Sequence, residues 1–195
     1  MENFKGIGYR LANNWYGTID VEQFKQKPIN YLEIGTFYGA NLLSVAESYA
    51  QHPDSKLYCV DPWIDYEDYP EYKNQQIDIY SQFLKNIEAC SYKSKINICR
   101  GFSNNIIPTF DDEMFDIIYI DGNHQPEYVL EDAVLSFRKL KKDGFMIFDD
   151  YGWGGPDLTQ KGIDAFLRTY SKMIETICTI QSQVFVRKIK NHSCA

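Results

Sequence analysis

FDIIYIDGNHQPEYVLEDAVLSFRKLKKDGFMIFDD, residues 115–150, is the stretch that decides the fold. It opens on an apolar, β-branched run, Phe115–Ile120, that ends on Asp121. A second apolar run, Phe145–Phe148, delivers Asp149 and Asp150. Between them, Glu127–Leu140 has the spacing of an amphipathic helix and closes on Lys141, Lys142 and Gly144, in keeping with cations and glycine at a helix carboxyl end. Continuous apolar strands joined through a helix belong to a mainly parallel sheet covered on both faces.

The same alternation runs outward in both directions. Strands are expected at Tyr31–Ile34, Lys56–Val60 and Ile96–Cys99. Helices are expected at 40–51, 72–90, 103–107 and 162–171. Ile174–Ile180 and Val184–Ile189 are two strands joined by Gln181-Ser182-Gln183, a link too short for a crossover helix, so they pair antiparallel. The expected architecture is α/β: a doubly wound, mainly parallel seven-stranded sheet with one antiparallel strand, a Rossmann-like arrangement. Residues 1–195 read as one domain, with 1–29 as an N-terminal extension packing on the core.

Bulk composition narrows the function. The 195 residues suit one sizeable core, and 44% hydrophobic with 15% aromatic residues is the composition of a folded chain. A formal charge of −7 speaks against a partner held through its phosphates, so no nucleic acid is expected. No apolar run is long enough to span a membrane and the first residues are not a signal peptide, so neither a membrane partner nor export is expected. Five scattered cysteines without CxxC spacing argue against a disulfide framework or a zinc site and suit a reducing, cytoplasmic setting. Oligomeric state is left open, a homo-oligomer included.

In doubly wound sheets ligands bind outside the carboxyl ends of the strands. The first strand ends in Glu33-Ile34-Gly35-Thr36-Phe37-Tyr38-Gly39. Gly35 allows a tight turn, and Gly39 opens a helix where a ligand can approach the backbone. An ordinary strand-to-helix turn explains the two glycines as well. The second strand ends on Asp61, about 20 residues beyond Gly39, where an acid typically accepts ribose hydroxyls. A glycine loop with an acidic strand end points to a nucleoside-bearing ligand. Trp63 either stacks on its base or packs under a loop.

Taken in order, YLEIGTFYGANLL, VDPW, RGFS and the 115–151 stretch resemble the class I S-adenosylmethionine-dependent methyltransferases. The likeness covers roughly residues 30–190 and is nearest the macrocin-type subgroup that methylates sugar hydroxyls. It implies that Glu33, Gly35 and Gly39 cradle the methionine part of S-adenosylmethionine, that Asp61 binds the ribose, and that Gly101–Ser103 lies near the adenine. Trp63, Ser103 and Asp121 join the expected cofactor contacts.

Asp121, Asp149 and Asp150 would converge if their strands are neighbours, and like charges need neutralising. A hard divalent cation such as Mg²⁺ takes oxygen ligands and keeps room for substrate. In the resembling O-methyltransferases these three positions bind Mg²⁺; turn capping by Asp149 or Asp150 is the plainer alternative. His124 follows at D-x-x-H spacing. By the same resemblance it is the base that takes the hydroxyl proton, a role that falls to it because Asn123 stands where part of the family has an aspartate. Tyr66, Tyr69 and Tyr72 in one loop, and Trp153 in the Tyr151–Pro156 loop, offer faces for a sugar ring. The expectation is a Mg²⁺-dependent O-methyltransferase acting on a small-molecule acceptor, a sugar or a glycosylated metabolite. Rivals are a catechol-type O-methyltransferase, an enzyme like those named after cephalosporin hydroxylation, and a cofactor-binding protein without turnover.

Overall fold

The computed structural model describes residues 4–6, 11–65 and 72–191. Seven strands form one sheet in the order β3-β2-β1-β4-β5-β7-β6. They are β1 (Asn30–Ile34), β2 (Lys56–Asp61), β3 (Ile96–Arg100), β4 (Phe115–Ile120), β5 (Leu140–Phe148), β6 (Ile174–Ile180) and β7 (Gln183–Lys188). β1 to β5 pair parallel; β7 runs antiparallel to both β5 and β6, as the sequence pattern implies. Among the described residues there are six α-helices: α1 (Glu22–Lys25), ahead of β1, and, in the connections, α2 (Ala40–Glu47), α3 (Gln76–Glu88), α4 (Ser103–Ile106), α5 (Pro126–Lys139) and α6 (Thr159–Thr169).

Strand alternation sends successive side chains to opposite faces. Tyr31, Leu57, Cys59, Ile117, Tyr119, Ile147 and Phe185 pack on one face, against α2, α3 and an N-terminal layer of Ala12, Trp15, Ile19 and Phe24. Leu32, Ile34, Val60, Ile118, Ile120, Met146, Phe148 and Val186 pack on the other, against Val129, Ala133 and Phe137 of α5 and Ile163 and Phe166 of α6. Among the described residues, no helix is long and apolar enough to cross a membrane. Cys59, Cys90, Cys99 and Cys178 are free thiols; Cys194 lies outside the described residues.

Several boundaries differ from expectation for local reasons. α3 starts at Gln76 rather than Tyr72, because Asn74 takes a left-handed φ of 63° that no α-helix continues through. β5 begins at Leu140, directly at the end of α5. It pairs there with Phe115, bulges through Asp143 (φ 65°), and rejoins the ladder where Phe145 meets Ile117. Lys141 and Lys142 thus belong to the strand rather than the helix end. The β6–β7 link is two residues, Gln181 and Ser182, both at positive φ (48° and 63°), the turn whose twist matches a hairpin.

Strand order turns back between β1 and β4, the crevice where such sheets open to a ligand. Ladder bonds continue past the strand ends there. Gly35 N–H donates to Val60 O (2.9 Å), Asp121 N–H to Ile34 O (2.8 Å) and Asp149 N–H to Ile120 O (3.0 Å). The glycine turn and the acidic ends are thereby held at one level.

Candidate active site

A cavity of about 710 Å³ opens at this crevice. Its walls bring together Glu33, Gly35, Asp61, Ser103, Asp121, His124 and Asp150. Gly35 has a left-handed φ of 79°, and a Cβ there would fall 1.8 Å from the Asp121 carbonyl oxygen. Only glycine lets β1 and β4 approach so closely at their ends. Gly39 (φ 86°) opens α2 with its bare face against Phe83, behind the cavity.

Asp61 ties the glycine turn to the end of β2. Its Oδ2 accepts the Thr36 and Phe37 N–H groups (2.9 and 3.0 Å), and its Oδ1 accepts the Trp63 N–H (2.7 Å). Burial raises its pKa, with the three backbone bonds opposing. Oδ1, with one bond made, keeps a further lone pair for a ligand hydroxyl. Trp63 is not brought to the cavity. It is 2% exposed, packs on Tyr80 and Phe83 with ring centroids 4.7 Å away, and donates to Phe37 O (3.0 Å). The structure thus favours packing over base stacking for this side chain.

Glu33 is fully enclosed beside the turn. Its Oε2 accepts from Tyr31 Oη (2.6 Å) and from Asn41 Nδ2 (2.9 Å). Burial outweighs these bonds and lifts its pKa to about 8, so the group holds a proton at neutral pH. Asn41, in α2, is a wall residue the sequence did not single out. Its Oδ1 is buried and has no hydrogen-bond partner, and Asn41 is one of the residues lining the cavity.

At the other end, His124 Nε2 lies 3.1 Å from Asp150 Oδ2 and 4.0 Å from Asp121 Oδ1. One ligand atom from each of the three residues falls within 4.8 Å of the others. Asp149 stands outside that group. Its strand parity, shared with Ile147, turns it toward the opposite face, where Tyr119 donates to Oδ2 and the Asp150 N–H donates to Oδ1 (2.8 Å). Asp150 has left the strand at a φ of 56°. Burial raises the pKa of Asp121, and the charges of Asp149 and Asp150 raise it further. Burial lowers that of His124, but the two carboxylates outweigh it and lift it to about 9. Asn123 accepts the Gln125 N–H on Oδ1 (2.8 Å) and so shapes the entry to α5.

Trp153 covers the imidazole with ring centroids 4.4 Å apart and remains 44% exposed. Tyr38, Tyr72 and Tyr128 add aromatic edges to the rim. Tyr66 and Tyr69 lie outside the described residues. A second residue missed by the sequence reading is Asp132 in α5, 3% exposed and part of the cavity wall. Its signal was available: Val129, Asp132, Ala133, Ser136 and Phe137 share the inward helix face, so the carboxylate occupies a core position.

The family model described as a methyltransferase domain matches residues 32–151. The chain belongs to that methyltransferase family. An uncharacterized protein of Acanthamoeba polyphaga mimivirus is 28% identical over 131 residues, 66% of this chain and 54% of its own length, so the chain spans about half of that relative. The fold is shared with the O-methyltransferase TomG of Streptomyces achromogenes, solved with S-adenosylmethionine (TM-score 0.61, 17% identity, 93% of this chain and 87% of that one). It is shared too with the MycE methyltransferase of mycinamycin biosynthesis, solved with Mg and SAH (TM-score 0.62, 15% identity, 100% of this chain and 53% of that one).

Proposed function

We propose that this methyltransferase moves the methyl group of S-adenosylmethionine to a hydroxyl, with a divalent cation, and that its acceptor is a sugar or a glycosylated small molecule. The observation that carries the reading is the meeting, in one cavity, of the Gly35 turn with Asp61 on one side and the Asp121–His124–Asp150 cluster on the other. The resemblance of the sequence to the macrocin-type subgroup supports the choice of a sugar acceptor.

The residues present fit both groups. The unpartnered Asn41 Oδ1 suits the cofactor's ammonium, and Asp61 suits its ribose hydroxyls. Two carboxylates at the cavity wall, Asp121 and Asp150, are oxygen donors suited to Mg²⁺. When bound, the cation supplies positive charge that acidifies a neighbouring hydroxyl. Asp149 holds Asp150 in its left-handed turn through the 2.8 Å bond to its amide. His124, beside the two ligands, accepts the proton the acceptor oxygen gives up at Nε2, and Trp153 orients the acceptor against it. The glycine turn fixes the methyl donor for in-line approach, so that much of the rate comes from positioning.

The test is transfer of labelled methyl from S-adenosylmethionine to a panel of sugar nucleotides, free glycosides and catechols. Methylation of a glycoside that EDTA abolishes and Mg²⁺ restores is the expected outcome. Transfer confined to catechols would move the acceptor class, and transfer unaffected by exhaustive chelation would remove the cation.

A further inference from the structure

The acidic doublet at the end of β5 is divided, and a buried chain of side chains divides it. Trp15 of the N-terminal layer donates its indole N–H to Gln183 Oε1 (3.0 Å). Gln183 Nε2 donates to Tyr119 Oη (3.3 Å), and Tyr119 donates to Asp149 Oδ2. The direction is forced at every step. An indole only donates, so the amide offers Trp15 its oxygen and Tyr119 its nitrogen. The amide nitrogen also only donates, so the phenol proton points to Asp149. Trp15, Gln183 and Tyr119 are all buried, and the rings of Trp15 and Tyr119 pack with centroids 5.5 Å apart.

The chain ends on a carboxylate whose two oxygens are both engaged. Oδ2 takes the Tyr119 proton, and Oδ1 takes the Asp150 N–H (2.8 Å). Gln183 bonds the same carboxylate directly as well. Asp149 therefore stays out of the Asp121–His124–Asp150 group, although it adjoins Asp150 in sequence and its charge acts on Asp121. Buried polar groups need partners, and a network of them is stable only when every member is satisfied. Here the acceptor that completes the network is Asp149.

We propose that the Trp15–Gln183–Tyr119 chain is a latch that keeps Asp149 out of the cation's ligand set and commits it to positioning Asp150. This rests on the divalent-cation reading and adds to it the residues that set the number of ligands. A cation held by Asp121 and Asp150 keeps one more position for water or an acceptor hydroxyl than a cation held by three carboxylates. Asp149 and Tyr119 are positioning residues, and neither lines the cavity. Without the phenol proton, Asp149 is a buried carboxylate short of a donor, and turning toward a cation relieves it.

The experiment is titration of the whole chain with Mn²⁺, the free ion being read by electron paramagnetic resonance. Tyr119→Phe removes only the hydroxyl and should tighten Mn²⁺ binding at least about threefold, a gain that a loosened fold does not produce. Asp149→Asn keeps an oxygen for the Asp150 amide and should weaken Mn²⁺ less than about fivefold, because the side chain it replaces is not a ligand. That variant decides the matter if Tyr119→Phe does not fold. The double variant should bind no tighter than Asp149→Asn alone. A smaller gain in folded Tyr119→Phe, a gain that survives Asp149→Asn, or a larger loss in Asp149→Asn alone overturns the inference while leaving the cation in place. A wild-type protein that binds no Mn²⁺ overturns both.

Discussion

His124 Nε2 faces Asp150 Oδ2 at 3.1 Å, across the mouth of the cavity and under the indole of Trp153. The two carboxylates raise the imidazole pKa to about 9, and a divalent cation held by them would withdraw that support and leave Nε2 free to take a proton near neutral pH. Charge balance at this end of the cavity is thus shared among four side chains, counting Asp149. Removing any one changes what the others hold.

Substitution of His124 by alanine should lower kcat about 10²–10⁴-fold, the usual weight of a general base. Binding of S-adenosylhomocysteine should change less than about twofold, because the imidazole faces the acceptor side. Rate measurements at saturating Mg²⁺ together with calorimetry check both. A rate within a few-fold of wild type would mean that His124 takes no proton.

Asp61→Ala should weaken the cofactor and loosen the turn together. The carboxylate accepts three backbone N–H groups, two of them from the glycine turn. A charged acceptor lost from a buried site costs roughly 1.5–3 kcal/mol, about tenfold or more in affinity. Urea unfolding of the ligand-free variant should show a loss of similar size. Unchanged affinity with lowered stability would confine Asp61 to the turn.

Glu33 makes stability fall as pH rises. Its folded pKa is about 8 against an ordinary 4.5, so between those values the folded state keeps a proton that the unfolded state has released. Each pH unit across that window removes about 1.4 kcal/mol from this group's contribution, and the decline ends above the folded pKa. Glu33→Gln cannot ionise. It should melt above wild type at pH 9 and close to it at pH 4.5. A melting difference independent of pH would contradict this account.

Gly35→Ala should be among the most damaging single changes. The added methyl would meet the Asp121 carbonyl oxygen at 1.8 Å, backbone against backbone, at a φ of 79°. The loss should reach at least about 3 kcal/mol in urea unfolding. A loss under about 1 kcal/mol would show that the two strand ends separate easily.

What could be read in advance was whatever the chain encodes locally. Apolar runs that stop at Glu33-Ile34-Gly35, Asp61, Asp121 and Asp149 marked both the strands and the level of the site. The bulge at Asp143 and the turn at Asn74 were not legible, because each rests on a single residue taking a left-handed φ. Asp149 illustrates a longer-range limit. Its separation from Asp150 depends on Tyr119 from β4, and Gln183 of β7 donates in turn to that hydroxyl at 3.3 Å. Asp132 was hidden by its neighbour, since Glu131-Asp132 looks like a solvated pair until the helix face is resolved. Trp63 was drawn toward the site by its nearness to Asp61, although a left-handed φ of 45° at Trp63 takes the indole into the core.

The placing of β7 between β5 and β6 has a consequence for the order of assembly. β6 is made first but has no partner in the sheet until β7 has been made, folded back on it and paired with β5. Until then β5 presents a bare edge, and Trp15 lacks Gln183, whose Oε1 accepts its indole N–H at 3.0 Å. Completion of the sheet, seating of the N-terminal layer and support of Tyr119 beneath the acidic doublet thus become one event. A chain stopped at Ser182 would keep every acidic strand end and the whole glycine turn, yet hold them on an unfinished sheet.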